Sequence, residues 1–92
     1  MIRLFWDPKA YETYNALMDP QTGLPFLQRV QLTERIDALR GWPPSKWYDL
    51  RNRTGGTITF QMETDQFLEV LGLYENGAVK ITHLTLKTKK GD

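Results

Sequence analysis

The second half of the chain constrains the fold most, because polar and apolar residues alternate along much of it. In GTITFQMET the apolar side chains fall on one face of an extended strand and the polar side chains on the other. The dipeptide Asn76-Gly77 favours a two-residue hairpin, since both positions tolerate positive φ. With a three-residue turn at residues 64–66, we predict a three-stranded antiparallel meander in which Phe60 lies opposite Val70.

This pairing sets the faces on which the candidate functional side chains are expected. Continued through the second turn, it places His83 beside Val70, so His83 is expected to face the helices. Glu69 then lies on the other face, and on this register Glu69 and His83 cannot share one site. A shift of one residue in the pairing would exchange His83 for Leu84 and change the composition of both faces.

The sheet face turned away from the helices is predicted to be half polar and half apolar. Two helices can cover only one face of so small a sheet, so this face is left open to a partner or to solvent. Its expected polar members are Thr57, Thr59, Gln61, Glu63, Glu69, Lys80 and Thr82. Its expected apolar members are Phe67, Leu71, Leu73, Leu84 and Leu86.

The first half of the chain predicts one strand and two helices. Residues 2–6, IRLFW, form a β-branched and aromatic run that a strand requires. Asp7 can accept hydrogen bonds from the free amides of a first helical turn, and Pro8 suits the first helical position. A second helix is predicted to begin at Pro25 and to end at Gly41.

Residues 42–56 are predicted to be connecting chain, because two prolines stop the second helix and Gly55-Gly56 mark a turn. Arg51 and Arg53 lie in this segment, and loops commonly position cations that bind phosphate. Its aromatic residues are expected to clamp the segment onto the core, with stacking on a nucleobase as the alternative. These residues are Trp42, Trp47 and Tyr48.

Composition indicates one domain spanning residues 1–92, with a single modest core. The absence of cysteine excludes disulfides and thiolate zinc sites, and one histidine leaves little for a histidine metal cluster, so we expect neither metal nor cofactor. No segment has the length of a membrane span and the start has no signal-like apolar region, which favours a cytoplasmic protein without membrane contact. A net charge of +1 neither requires nor excludes a nucleic-acid partner.

The basic charge is concentrated near the end of the sequence. Residues 79–92 carry four lysines and one acidic residue, whereas residues 1–45 carry five basic and five acidic residues. One interpretation is a solvated tail, and the other is the border of a site for a polyanion.

The order of strand, two helices and meander resembles the RelE/ParE superfamily of toxins from type II toxin-antitoxin modules, especially its HigB-like branch. The stretch GLPFLQRVQLTERIDALRG is similar to the helical portion, and RTGGTITFQM is similar to the start of the meander. The stretch DQFLEVLGLYENGAVKITHLTLKTKK is similar to the next two strands, including a histidine followed by a lysine-threonine-lysine cluster. The resemblance implies an α+β RelE-like fold with the helices on one face of the sheet.

The RNA-cleaving members of this family bind mRNA in the ribosomal decoding site and cleave it without a metal. Such cleavage needs a base, an acid and cations that stabilise the phosphate. His83 and Lys87 match the family's histidine and following lysine, and Glu69 corresponds to a glutamate that serves as base in some members. Family members commonly carry arginine at two strand positions that hold Gln61 and Leu68 here.

We therefore expect this chain to be a ribosome-dependent mRNA endoribonuclease and to bind a cognate antitoxin protein. Arg51 and Arg53 would replace the missing strand arginines. The candidate catalytic residues are Arg51, Arg53, Glu69, His83 and Lys87, and the candidate RNA-binding residues are Lys46, Lys80, Lys89 and Lys90.

Two other functions fit the same sequence features. One is a non-catalytic interaction module that binds an antitoxin or another protein, and the other is gyrase inhibition of the ParE type. His83 would then be a hydrogen-bonded structural residue and Glu69 the partner of a neighbouring cation.

Overall fold

One mixed sheet of four strands organises the protein. The computed structural model describes residues 2–63 and 65–88, so Lys89, Lys90 and the Thr64 part of the predicted turn lie outside the described residues. The elements are β1 (Arg3–Trp6), α1 (Pro8–Met18), α2 (Phe26–Leu39), α3 (Pro44–Thr54), β2 (Thr57–Glu63), β3 (Gln66–Glu75) and β4 (Ala78–Thr88). The strand order is β1-β4-β3-β2, with β1 parallel to β4 and the other neighbours antiparallel. The predicted α+β class is confirmed.

The start of α1 is as predicted. Asp7 is its N-cap and accepts a hydrogen bond from the backbone N–H of Lys9 at 3.1 Å, while Pro8 occupies the first turn. The helix ends at Asp19, whose carboxylate accepts hydrogen bonds from the backbone of the following turn. Gly23 closes this turn against backbone carbonyls, because a Cβ there would lie only 2.3 Å from the carbonyl oxygen of Leu17.

The prediction of connecting chain at residues 42–56 is wrong, because most of this segment forms α3. Pro43 is the N-cap and Pro44 occupies the first turn, where a missing N–H costs no hydrogen bond. Gly55 ends the helix in the left-handed conformation, with φ of 72°, and its N–H donates to the carbonyl of Arg51 at 3.0 Å. The two prolines stop one helix and begin another, so residues 2–63 and 65–88 contain three helices rather than the predicted two.

The three helices pack on one face of the sheet and form a single core with it. Helix α1 lies against β4, α2 against β2, and α3 against β2 and β3. Trp47 of α3 is 2% exposed and its ring lies beneath Gly72 of β3, where a Cβ would come within 3.0 Å of the indole. The largest fully buried side chains are Trp47, Leu32, Leu39, Leu68, Ile81, Val70 and Val79.

The pairing of β2 with β3 differs from the prediction by two residues. Phe60 lies opposite Leu68 rather than Val70, and Ile58 takes the place opposite Val70. The reason is a tighter connection, since β3 already begins at Gln66. A shift of two residues keeps the side chains of residues 57–61 on their predicted faces, and the pairing becomes irregular between Gln61 and Glu63.

The pairing of β4 with β3 contains an irregularity that the prediction lacks. The hairpin itself is as predicted, with positive φ at both Asn76 and Gly77. Further along, Gly72 lies opposite Ile81 but Leu71 lies opposite His83, so Thr82 is an extra residue. This β-bulge reverses the faces of the rest of β4.

The predicted faces of the second half of β4 are therefore wrong. His83, Thr85 and Lys87 lie on the open face, the sheet face opposite the helices, while Leu84 and Leu86 point into the core. Leu84 is 5% exposed, and its burial is the physical reason for the bulge, since regular alternation from Ile81 would have turned both leucines to solvent.

Candidate functional site

The bulge gathers three ionisable side chains on the open face, which we call the acid-base cluster: Glu69, His83 and Lys87. Glu69 of β3 lies between Thr59 of β2 and Thr85 of β4, its direct partners on either side. His83 and Lys87 flank Thr85 along β4, so each is a diagonal neighbour of Glu69, at about 7 to 8 Å between backbones. The expectation that Glu69 and His83 lie on opposite faces is wrong.

Glu69 and Lys87 form the ion pair of the cluster. The Nζ atom of Lys87 lies 3.0 Å from a carboxylate oxygen of Glu69, and the two side chains are 47% and 36% exposed. A pair so open to water is weakly held, because solvent screens it. In this structure the charge of the Glu69 carboxylate is balanced by Lys87. Because the contact is weak, Lys87 can leave it to bind another anion.

The imidazole of His83 has a defined orientation. Its Nδ1 atom lies 3.1 Å from the hydroxyl oxygen of Thr82, and that hydroxyl donates to the carbonyl of Leu71 at 3.4 Å. Whichever of the two groups donates, Nδ1 is occupied by its contact with Thr82. This leaves Nε2 as the ring atom available for proton transfer, in either the neutral or the charged ring.

A shallow pocket of about 220 Å³ lies over this part of the sheet. It is lined by Thr57, Glu69, Leu71, His83 and Thr85. The floor thus combines a carboxylate, an imidazole and two threonine hydroxyls with one apolar side chain. These groups can bind a polar ligand and move protons on it without a metal.

The structure does not bring the two candidate arginines to the acid-base cluster. Both lie in the last turns of α3 rather than in a loop. Arg53 is engaged in a salt bridge with Asp49, whose hydrogen bond and negative charge raise the pKa of Arg53. Arg51 lines a separate pocket of about 230 Å³ together with Trp47 and Gly72.

The candidate RNA-binding lysines are dispersed. The Nζ atom of Lys46 lies 3.8 Å from the ring centroid of Trp42, in a cation–π contact at the start of α3. Lys80 lies on the open face of β4, opposite Leu73. Lys89 and Lys90 lie outside the described residues, so the structure does not bear on the terminal lysines.

The two positions at which the resembling family carries arginine have different surroundings here. The side-chain amide of Gln61 donates to the carbonyl of Gln66 at 3.1 Å across the β2–β3 turn. Leu68 is fully buried in the core, where a guanidinium would lose its hydration without an ion to pair with. Position 68 therefore excludes the expected cation.

The bulge at Thr82 was not predicted, although the sequence contains a signal for it. The apolar positions of β4 are Val79 and Ile81 before this residue, and Leu84 and Leu86 after it. The apolar residues thus switch from odd to even positions at Thr82. Such a change of phase inside one strand indicates a bulge.

Among the described residues, no group of three or more histidine, cysteine, aspartate or glutamate side chains is arranged to hold a metal ion. Within the same part of the chain, none of the helices has the length and apolar character needed to cross a bilayer. Comparison with family models, with curated proteins and with solved structures found no match to this chain.

Proposed function

We propose that this protein is the toxin of a type II toxin-antitoxin module, with a RelE-like fold, and cleaves mRNA on the ribosome without a metal. One observation supports the proposal above the others: the bulge at Thr82 turns His83 to the face that holds Glu69 and Lys87. These residues are of the kinds that cleavage of RNA requires, namely a base, an acid and a cation. That the substrate is mRNA and that the protein acts in the cytoplasm are inferred from the resemblance of the sequence to the HigB-like branch.

The reaction is a transfer within the RNA strand. The ribose 2′-oxygen bonds to phosphorus while the bond from phosphorus to the 5′-oxygen breaks, which leaves a 2′,3′-cyclic phosphate and a 5′-hydroxyl. Glu69 takes the proton of the 2′-hydroxyl, and charged His83 donates its Nε2 proton to the departing 5′-oxygen. Lys87 leaves Glu69 and binds the nonbridging phosphate oxygens, whose negative charge grows in the transition state.

The hydrogen bond from His83 to Thr82 gives this assignment a structural basis. With Nδ1 held at 3.1 Å from the threonine hydroxyl, the Nε2–H of the charged ring is the proton left for the leaving group. The two proton-transfer groups lie on neighbouring strands and both line the pocket over the sheet, so both can act on one phosphate bound there.

The test is induced expression in a bacterial host, with growth measured and mRNA 5′ ends mapped. We expect growth arrest and new 5′ ends inside translated codons. Glu69→Gln is expected to abolish both, whereas Glu34→Gln, an exposed glutamate on α2, leaves both unchanged. Intact mRNA and normal growth with soluble wild-type protein would refute the ribonuclease.

The double variant Arg51→Ala, Arg53→Ala tests whether the arginines of α3 supply the cations that cleavage requires. Since both arginines lie on α3 and line no part of the pocket that contains Glu69, we expect cleavage to persist. Cleavage that is lost in this variant but kept in Glu69→Gln would move the active site to α3.

A second function, a non-catalytic module that binds an antitoxin or another protein, is favoured by a different surface. Helix α2 exposes three large apolar side chains near its start: Phe26 is 65% exposed, Leu27 73% and Val30 40%. Exposed apolar groups so close together suit a protein contact. Leu84 and Leu86, which were predicted on the open face, do not contribute to such a surface, because Leu84 is buried in the core and Leu86 packs against it.

A further inference from the structure

A second group of side chains on the open face lies outside the acid-base cluster. Phe5 of β1, Lys80 of β4 and Leu73 of β3 form one row across three neighbouring strands, since Lys80 is the direct partner of both other residues. Phe5 is 49% exposed and Leu73 44%. A shallow pocket of about 390 Å³ lies over them, with Glu75 and Ala78 completing its lining.

Among the described residues, the charged groups around this pocket have no salt-bridge partner. Glu75 and Lys80 are diagonal neighbours across the β3–β4 ladder, yet they form no salt bridge. The guanidinium of Arg3 lies over the ring of Phe5, 5.7 Å from its centroid, and it too has no carboxylate partner in the described part of the chain. The pocket therefore combines the ammonium of Lys80 and the carboxylate of Glu75 with an apolar floor, and the guanidinium of Arg3 lies beside it over Phe5.

This combination matches the parts of a nucleotide in single-stranded RNA. Arg3 covers one face of the Phe5 ring, and the exposed remainder of the ring beside Leu73 provides a platform on which a base can stack. Arg3 and Lys80 can bind the phosphates on either side of the base. The carboxylate of Glu75 can accept two parallel N–H groups, and guanine is the base that presents two such donors, N1–H and N2–H, on its pairing edge.

We propose that Phe5, Leu73, Glu75 and Lys80 form a guanine-binding subsite for single-stranded RNA, an inference that rests on the proposed ribonuclease function. The subsite shares the open face with the acid-base cluster. Leu73 lies four residues from Glu69 along β3, a separation of about 13 Å. A single strand that crosses the face can therefore reach both, and the subsite would select the position at which the strand is cut.

The first test is binding rather than cleavage. Titration of the purified protein with GMP and with AMP, followed by backbone amide NMR shifts, is expected to move the signals of Phe5, Leu73 and Lys80. GMP is expected to bind at least about fivefold more tightly than AMP, as a paired set of hydrogen bonds to one base edge allows. Glu75→Gln, a change at an exposed position, should remove that preference.

Phe5→Ala should weaken GMP binding by removing the stacking platform. Its matched control is Phe26→Ala on α2, because Phe26 is also exposed and also lies under an arginine, with Arg29 at 5.6 Å from its ring centroid. Shifts located elsewhere, equal affinity for GMP and AMP, or an equal effect of the two alanine variants would overturn the subsite. If the protein formed a dimer in solution and Phe5→Ala dissociated that dimer, the subsite would likewise be overturned. The row of Phe5, Lys80 and Leu73 would then be a contact between two copies of the protein.

The readout separates this inference from the proposed function. Wild-type protein that binds GMP at these residues while cellular mRNA stays intact would keep the subsite and refute the ribonuclease. Protein that cleaves mRNA but shows no GMP shifts at these residues would refute the subsite alone.

Discussion

The ammonium of Lys87 lies 3.0 Å from the carboxylate of Glu69 across the β3–β4 ladder, in a pair that is open to water. The contact lies beyond the bulge at Thr82, and it exists because the bulge turns Lys87 to the face of Glu69. A contact of this kind contributes little to the stability of the fold, because exposed ion pairs are screened by solvent.

A double-mutant cycle with Glu69→Gln and Lys87→Met measures that contribution. We expect a coupling free energy below about 1 kcal/mol, because both side chains are partly exposed and solvent screens the pair. Denaturant unfolding of the four proteins at low and high salt gives the value, which should fall as salt is added. A coupling of several kcal/mol that is insensitive to salt would contradict this prediction.

The bulge is tested by two neighbouring substitutions in β4. Leu84→Ala should lower the free energy of unfolding by about 2 to 5 kcal/mol, because Leu84 is a core residue. His83→Ala should lower it by less than about 1 kcal/mol, because His83 lies on the open face. If thermal or denaturant unfolding showed that His83→Ala is the more destabilising of the two, β4 would alternate regularly and His83 would not belong to the acid-base cluster.

Much of the fold was readable from local sequence chemistry. The cap at Asp7 with Pro8, and the hairpin at Asn76-Gly77, depend on a few adjacent residues and occur where the sequence predicts them. Helix α3 was missed because its two prolines were interpreted only as breaks. A proline ends the helix before it and equally suits the first turn of a new one, so the residue alone does not decide.

The candidate site was only partly predictable, because the sequence suggested its members but predicted the wrong arrangement for them. Glu69, His83 and Lys87 were chosen from sequence, but the predicted pairing kept Glu69 apart from His83. The pairing of β4 is decided by the burial of Leu84 and Leu86, which depends on the helices that cover the sheet. Strand alternation alone does not contain that information.

Helix α3 can be checked at its end. Gly55 has φ of 72°, and a Cβ there would meet no atom within 4 Å, so the cost of substitution comes from the backbone alone. Gly55→Ala should lower the free energy of unfolding by about 1 kcal/mol. Gly55→Asn should cost less, since asparagine adopts the left-handed conformation more readily. Equal costs in denaturant unfolding would argue against this C-cap.

The turn between α1 and α2 predicts a contrast between two glycines. A Cβ at Gly23 would lie within 2.6 Å of three backbone carbonyl oxygens, which cannot rotate away. Gly23→Ala should therefore lower the free energy of unfolding by about 1 to 3 kcal/mol. At Gly41 the nearest atom would be 3.7 Å away, so Gly41→Ala should change it by less than about 0.5 kcal/mol. Similar melting temperatures for the two variants would refute the tight turn.

The same turn predicts a pH dependence. Hydrogen bonds from the backbone N–H groups of Gln21 and Thr22 lower the pKa of Asp19 below its ordinary value of 3.8. Folding thus favours the charged carboxylate, so its stabilisation is complete above the ordinary pKa and is lost as the pH falls through the folded value. The difference in unfolding free energy between wild type and Asp19→Asn should be larger at neutral pH than in acid. A difference that does not change with pH would contradict this.

The parallel pairing of β1 with β4 has a consequence for how the protein is made. In the described part of the chain, β1 pairs with β4 alone, and β4 is the last of the described strands in sequence. Leu4 and Trp6 therefore cannot pair in the sheet until residues 78–81 have been synthesised. The fold cannot be completed stepwise from its beginning, and chains interrupted before Ala78 would leave apolar surface exposed to chaperones and proteases.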